Sequence, residues 1–141
     1  MRRQSGTGSR TLTEDECWTL LRVNVVGRVG FDMGHGIRIH PVNYVVDERS
    51  ILLRTGADTE LSRCVELFSD GALVAFQVDE VDLERHLGWS VLAQGSIGAV
   101  EGTEAERLKS EWSPHPWAAE EKPLLLRIVP VQVTGRVVGR G

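Results

Sequence analysis

Cysteine is scarce in this chain of 141 residues. Cys17 and Cys64 are too few for a disulfide framework and do not form a CxxC. The four histidines, His35, His40, His86 and His115, make no zinc spacing. His35 and His40 lie five apart, with Asp32 nearby, and an odd separation in a strand puts side chains on opposite faces, so no metal site is expected. Basic residues are also short: sixteen against twenty acids, a formal net charge of -4. That argues against a nucleic-acid partner, because binding a phosphate backbone needs a cationic surface. No run approaches the ~18 apolar residues of a membrane span. Met1 to Arg10 lacks the apolar core of a signal peptide, which gives the expectation of a cytoplasmic protein. The GTGS stretch lacks the Gly-Lys-Ser/Thr ending of a phosphate loop, and no GxSxG elbow supports serine catalysis.

What the chain has is valine, 18 of its residues, against 5 prolines. Valine is stiff at its first torsion and suits a pleated sheet. With 41% hydrophobic and 26% charged residues, the composition is that of one sheet-rich globular domain. Residues 1–11 read as a polar, flexible tail and residues 12–141 as the domain. Thr13 and Glu16 form a capping-box pattern ahead of a helix carrying Cys17, Trp18 and Leu21, with Gly27 ending that segment. Strands are expected over 28–33 and 37–46, joined at Gly34-His35-Gly36, with a bulge or edge at His40-Pro41. A third strand spans 51–55. A helix capped by Asp58 carries Leu61, Val65 and Phe68. Ala72 to Asp79 alternates as a strand, 79–87 reads as a charged loop, and 88–101 as a long strand bent at Gly95 and Gly98. A short helix over 103–110 and a last strand over 124–138, interrupted near Pro130, complete the order. Hairpins first, with no βαβ rhythm, point to an antiparallel barrel with helices at its openings.

Chemistry is less explicit. Cys17 and Cys64 fall on helix faces, where a small buried side chain is the ordinary reading. Trp18 belongs to a helix core face. Trp89 opens a strand and Trp117 lies in a Pro-rich loop, positions where an indole covers a planar ligand or a dimer contact as readily as a core. The strongest signal is Arg38-Ile-His-Pro-Val-Asn-Tyr-Val-Val-Asp47 followed by Ile51-Leu-Leu-Arg-Thr55. Backbone amides near Pro41, the Asn43 amide and the Tyr44 ring suit the edge of a flat heteroaromatic ligand. Arg54 and Thr55 at a strand end, with Thr59 opening the next helix, suit an anion. The alternative is an ordinary strand pair with a hydrogen-bonded Asn.

These residues resemble the FMN-binding split-barrel family, the pyridoxamine phosphate oxidase-like proteins. The resemblance runs in order through Gly27-Arg-Val-Gly30, Pro41-Val-Asn-Tyr-Val-Val-Asp47, Leu53-Arg-Thr55, Val74-Ala-Phe-Gln-Val-Asp79, Gly88-Trp-Ser-Val91, Gly95, Pro116-Trp-Ala118, Ile128-Val-Pro130 and Thr134-Gly-Arg136. It implies a mainly β, α+β fold, a six-stranded antiparallel split β-barrel, and a homodimer with two FMN sites at its interface. It assigns Pro41, Val42, Asn43 and Tyr44 to the isoalloxazine ring and Arg54, Thr55 and Thr59 to the phosphate, with Trp89 and Trp117 near the ring or the partner. The implied function is a flavin-dependent oxidoreductase acting on an unidentified small molecule, with no general acid or base to name. One departure stands out. Where the family commonly has a Gly-Thr-Lys-Leu-like run, this chain has Asp58-Thr-Glu-Leu61, so Glu60 replaces a phosphate-holding lysine. Either Arg54 and Arg63 compensate, or the ligand differs. The rival readings are a non-catalytic ligand-binding dimer with a degenerate flavin site and a deazaflavin-dependent reductase.

Overall fold

The computed structural model describes residues 8–111 and 124–139. Seven strands and three helices follow one another as β1 (Gly8–Thr11), α1 (Glu14–Arg22), β2 (Val26–Asp32), β3 (Ile37–Asp47), β4 (Ser50–Thr55), α2 (Glu60–Leu67), β5 (Ala72–Asp82), β6 (Leu87–Ala99), α3 (Gly102–Glu111) and β7 (Leu124–Gly139). All pairings are antiparallel. Six strands run β7-β4-β3-β2-β5-β6, and a long β6–β7 ladder joins the two ends into a ring. This is the expected six-stranded barrel, and closure leaves little free strand edge to manage.

β1 is the addition. Its four residues pair with Arg136–Gly139 of β7, and the Leu12 amide extends the ladder to the Gly135 carbonyl at 2.9 Å. The tail expected over residues 1–11 is therefore a strand from Gly8 onward. Such a short polar strand has no pattern of its own and forms because β7 runs past the end of β4.

Alternation explains the interior. Val29 and Phe31 of β2, Tyr44 of β3, Ile51 and Leu53 of β4, Phe76 of β5, Val91 of β6 and Ile128 of β7 fill the barrel. Trp18 and Leu21 of α1 close the core on one side, and Leu61 and Cys64 of α2 add to it. The capping box is present: Thr13 Oγ1 accepts from the Glu16 amide and Glu16 Oε1 accepts from the Thr13 amide. α3 stays outside, packing Ala105 and Leu108 on Leu52 and Leu125, so β4 is buried on both faces.

Two local expectations change and one is narrowed. Of the bulge or edge expected at His40-Pro41 the structure has the edge: the ladder with β2 is continuous from Val26↔Asn43 to Asp32↔Ile37, and the β4 ladder stops at Tyr44. The apolar residues change face while the strand does not: Val42, Tyr44 and Val46 lie inward, whereas Ile37 and Ile39 are exposed on the outer face. From Tyr44 to Asp47 the strand pairs with β4. The irregularity sits between Gln94 and Gly95, facing Pro130. The charged stretch 79–87 is mostly not loop either. β5 continues to Asp82 and β6 starts at Leu87, a hairpin arm whose acids are exposed. Gly27 is a strand residue, not a helix stop. A Cβ there would meet Phe76 Cζ at 2.3 Å, so the missing side chain makes room for a core ring.

Candidate functional site

The partner switch in β3 creates the most distinctive feature of the chain. The Tyr44 amide donates to the Val25 carbonyl at 3.0 Å, so even-numbered residues here turn their backbone groups toward β2. Antiparallel alternation then turns those of Ile39, Pro41 and Asn43 the other way, toward β4. The β4 ladder stops at Tyr44↔Leu53. Among the described residues, Ile37–Asn43 thus present an edge with no strand beside it. Pro41 fits that edge, because its missing N–H falls where no ladder needs a donor. The edge offers the Asn43 N–H, the Pro41 carbonyl and both groups of Ile39, the Asn43 carbonyl being the last acceptor of the β4 ladder.

The predicted site residues divide around this edge. Pro41 is exposed and Val42 half-buried. Asn43 is half-buried, and its Nδ2 lies 3.5 Å from the Val25 carbonyl. Tyr44 contributes no ring to a surface. It is 2% exposed, its ring meets Phe76 edge-on at 4.9 Å, and its hydroxyl donates to the Leu21 carbonyl at 2.6 Å. Burial pushes its phenol well above the ordinary range.

Thr55 and Thr59 are brought together, with their hydroxyl oxygens 2.8 Å apart. Thr59, not Asp58, caps α2, accepting from the Ser62 amide at 3.1 Å. Continuing the β3–β4 register by two residues would set Val42 opposite Thr55, so the hydroxyl pair stands at the open edge. Arg54 points to the other face of β4, the face on which Leu52 meets α3. Trp89 is half-buried against the core, opposite Glu80 and Val137. Trp117 lies outside the described residues. A cavity of about 350 Å³ between the end of α2, β6 and α3, lined by Asp70, Ser96, Glu101, Glu104 and Arg127, contains none of these residues.

Glu60 has partners that sequence reasoning missed. Arg38 Nε lies 3.0 Å from its Oε2 and His40 Nε2 lies 3.4 Å from its Oε1. The Arg38 hydrogen bond, the largest cause, holds the Glu60 carboxyl below the usual range. The His40 ring also packs edge-on against Phe31 at 5.0 Å. Compensation by Arg63 is not what the structure shows: its NH1 donates to the Asp58 carbonyl at 2.8 Å. The sequence signal was Arg38-Ile-His40, whose period of two places both side chains on one face of β3. Both cysteines are buried, and desolvation pushes their thiols up, away from the reactive thiolate.

A six-stranded antiparallel barrel closed by the β6–β7 ladder, with one stretch of strand edge left open beside a helix start, defines a split-barrel domain. The chain belongs to the pyridoxamine 5'-phosphate oxidase family, whose model matches residues 13–137. An uncharacterized protein of Mycobacterium tuberculosis, Rv0080, is 32% identical over 139 residues, covering 95% of this chain and 90% of the relative. A provisionally assigned pyridoxamine 5'-phosphate oxidase of Corynebacterium glutamicum superposes with a TM-score of 0.77 at 29% identity, over 94% of this chain and 95% of that one. The FAD binding protein of Mycobacterium smegmatis superposes with a TM-score of 0.67 at 28% identity, over 92% and 98%.

Proposed function

We propose that this chain is a flavin-binding protein that works as a homodimer and serves as an oxidoreductase toward a small molecule. The observation that carries the reading is the open edge of β3 from Ile39 to Asn43. A flavin's pyrimidine edge alternates acceptor, donor and acceptor, and a strand edge is its natural complement. Family membership and the FAD-binding relative support the same choice. A bound flavin supplies the electron or hydride transfer. The chain's part is to hold the ring at Pro41 and Asn43, to order its tail near Thr55 and Thr59, and to keep water from the ring. FMN and FAD share the ring, so the edge serves either.

The homodimer is supported by the outer sheet surface. Ile37, Ile39, Leu73, Val129 and Val131 are all at least half exposed, at 74%, 67%, 79%, 50% and 84%. The ladders place Gly30 and Ala75 beside Ile39, and Leu73 in line with Ser96 and Val129. Exposed apolar side chains therefore recur across this face, interrupted by Asp32, Gln94 and Ser96, and apolar exposure of that extent supports an interaction surface. Purified protein is expected to show a flavin absorbance band near ~450 nm, or to gain it on titration with flavin. A colourless protein that takes up no flavin sinks the reading. Sedimentation at micromolar concentration is expected to give a dimer, and the double change Ile39→Glu and Leu73→Glu a monomer.

A further inference from the structure

The tail end of the proposed site carries an ionised carboxylate where a ligand phosphate would approach. Glu60 is the first residue of α2, directly after the cap Thr59. Its two oxygens engage Arg38 and His40, so the positive charge that β3 brings here is drawn onto a carboxylate inside the protein. The Thr59 hydroxyl accepts from the Ser62 amide and lies against the Thr55 hydroxyl and the Gly56 carbonyl. Ser62 Oγ is in turn engaged with the Ala57 and Thr59 carbonyls, at 2.8 Å each. The Ser62 amide of the helix start is thus taken up from within, and that start bears a negative side chain.

The two flavin nucleotides differ at this end. A terminal phosphate monoester carries about 1.5 to 2 negative charges at neutral pH. Esterified into a dinucleotide, the same phosphate carries a single charge. Resting on the flavin reading above, we infer that Glu60 selects against a terminal phosphate, so that the site takes a flavin dinucleotide in preference to the mononucleotide. Arg38 and His40 set how strongly the carboxylate is felt. The Arg38–Glu60 pair carries no net charge, so a phosphate finds no net attraction there and meets repulsion where it approaches the carboxylate.

The test is calorimetric titration of the flavin-free protein with riboflavin, FMN and FAD at one ionic strength, for the native chain, Glu60→Gln, Glu60→Lys and Arg38→Gln. In the native chain FAD is expected to bind about two- to threefold more tightly than FMN, the effect of its smaller local charge at ~6 Å in a near-aqueous dielectric, and FMN within about threefold of riboflavin, because its phosphate gains nothing there. Glu60→Gln keeps an acceptor for Arg38 and removes the charge. At ~6 Å and a near-aqueous dielectric, that tightens FMN by about five- to tenfold and leaves riboflavin unchanged. Glu60→Lys tightens FMN further, and Arg38→Gln, which uncovers the carboxylate, weakens it. Circular dichroism checks that each variant is folded. Native FMN binding about tenfold or more tighter than riboflavin overturns the inference, as does Glu60→Gln with unchanged FMN affinity. Either result leaves the flavin reading standing. Failure of all three flavins to bind any variant overturns both.

Discussion

Gly95→Ala tests the geometry that closes the barrel. A Cβ at this position would lie 2.1 Å from the Val129 carbonyl oxygen, 2.6 Å from Pro130 Cα and 2.8 Å from the Val129 carbonyl carbon. Ordinary contact would require β7 to withdraw by roughly 1 Å, and protein interiors do not yield so much without loss. All three atoms are backbone, so no rotamer change relieves the clash. Nor can β7 move alone, because it is paired with β6 from Leu126 to Gly139 and with β4 from Leu124 to Ile128. Overpacking costs about 1–3 kcal/mol, and two ladder hydrogen bonds stretched at the bulge add about 1 kcal/mol each. The expected loss is about 3–5 kcal/mol, equivalent to roughly 10–17 °C in Tm for a chain of this size. Gly98→Ala is the matched control in the same strand, since nothing lies within 4 Å of its added methyl. It is expected to gain about 0.5 kcal/mol by restricting the unfolded chain. Urea unfolding of both variants, followed by circular dichroism, gives the two midpoints. A Gly95→Ala midpoint close to the native one, or equal losses at the two positions, would refute the argument.

Tyr44→Phe removes the hydroxyl bond to the Leu21 carbonyl, which keeps the Asn24 amide at 3.4 Å as another donor, so the expected loss is about 1 kcal/mol. The raised phenol of Tyr44 also sets a sign: its stabilisation is complete below its unfolded value near ~10 and declines above it, so alkaline unfolding monitored from pH 8 upward should be less steep in the Phe variant. Thr13→Ala deletes the cap of α1, and its chemical unfolding midpoint should report a loss of about 1 kcal/mol. Pro41→Val restores an N–H on the unpaired edge and should lower stability by no more than about 1 kcal/mol, the entropy gained by the unfolded chain; a net gain in urea unfolding would mean that the new N–H meets a ladder acceptor and would refute the open edge.

The order of elements was readable because most segments bury one face, and the core residues Val29, Phe31, Phe76 and Val91 announce that face at a period of two. Gly95 was readable as a bend for a related reason: a glycine in a long valine-rich strand implies a close backbone approach. What separated it from Gly98 was the carbonyl of Val129, a neighbour 34 residues away that strand propensity does not see. β1 was illegible for the same cause. Ser9, Arg10 and Thr11 have no hydrophobic pattern, and only the overhang of β7 makes a strand of them. Tyr44 misled because a lone tyrosine beside asparagine reads as a ligand contact, whereas it lies on the inward face of β3 in phase with Val42 and Val46 and packs its ring onto Phe76.

Glu60 shows where local reading reaches its limit. Taken along the chain it is a carboxylate in place of a cation, a plain reversal of charge. In the fold it sits across from Arg38 and His40, twenty-odd residues earlier, and the charge is shared. The pair is about one-third exposed, so solvent limits its worth for stability to a fraction of a kcal/mol up to about 1 kcal/mol. Its weight falls instead on recognition. A ligand phosphate settling at the start of α2 would displace that solvent and meet the carboxylate at reduced screening. The same ion pair therefore matters little to whether the barrel folds and a good deal to which tail the barrel accepts.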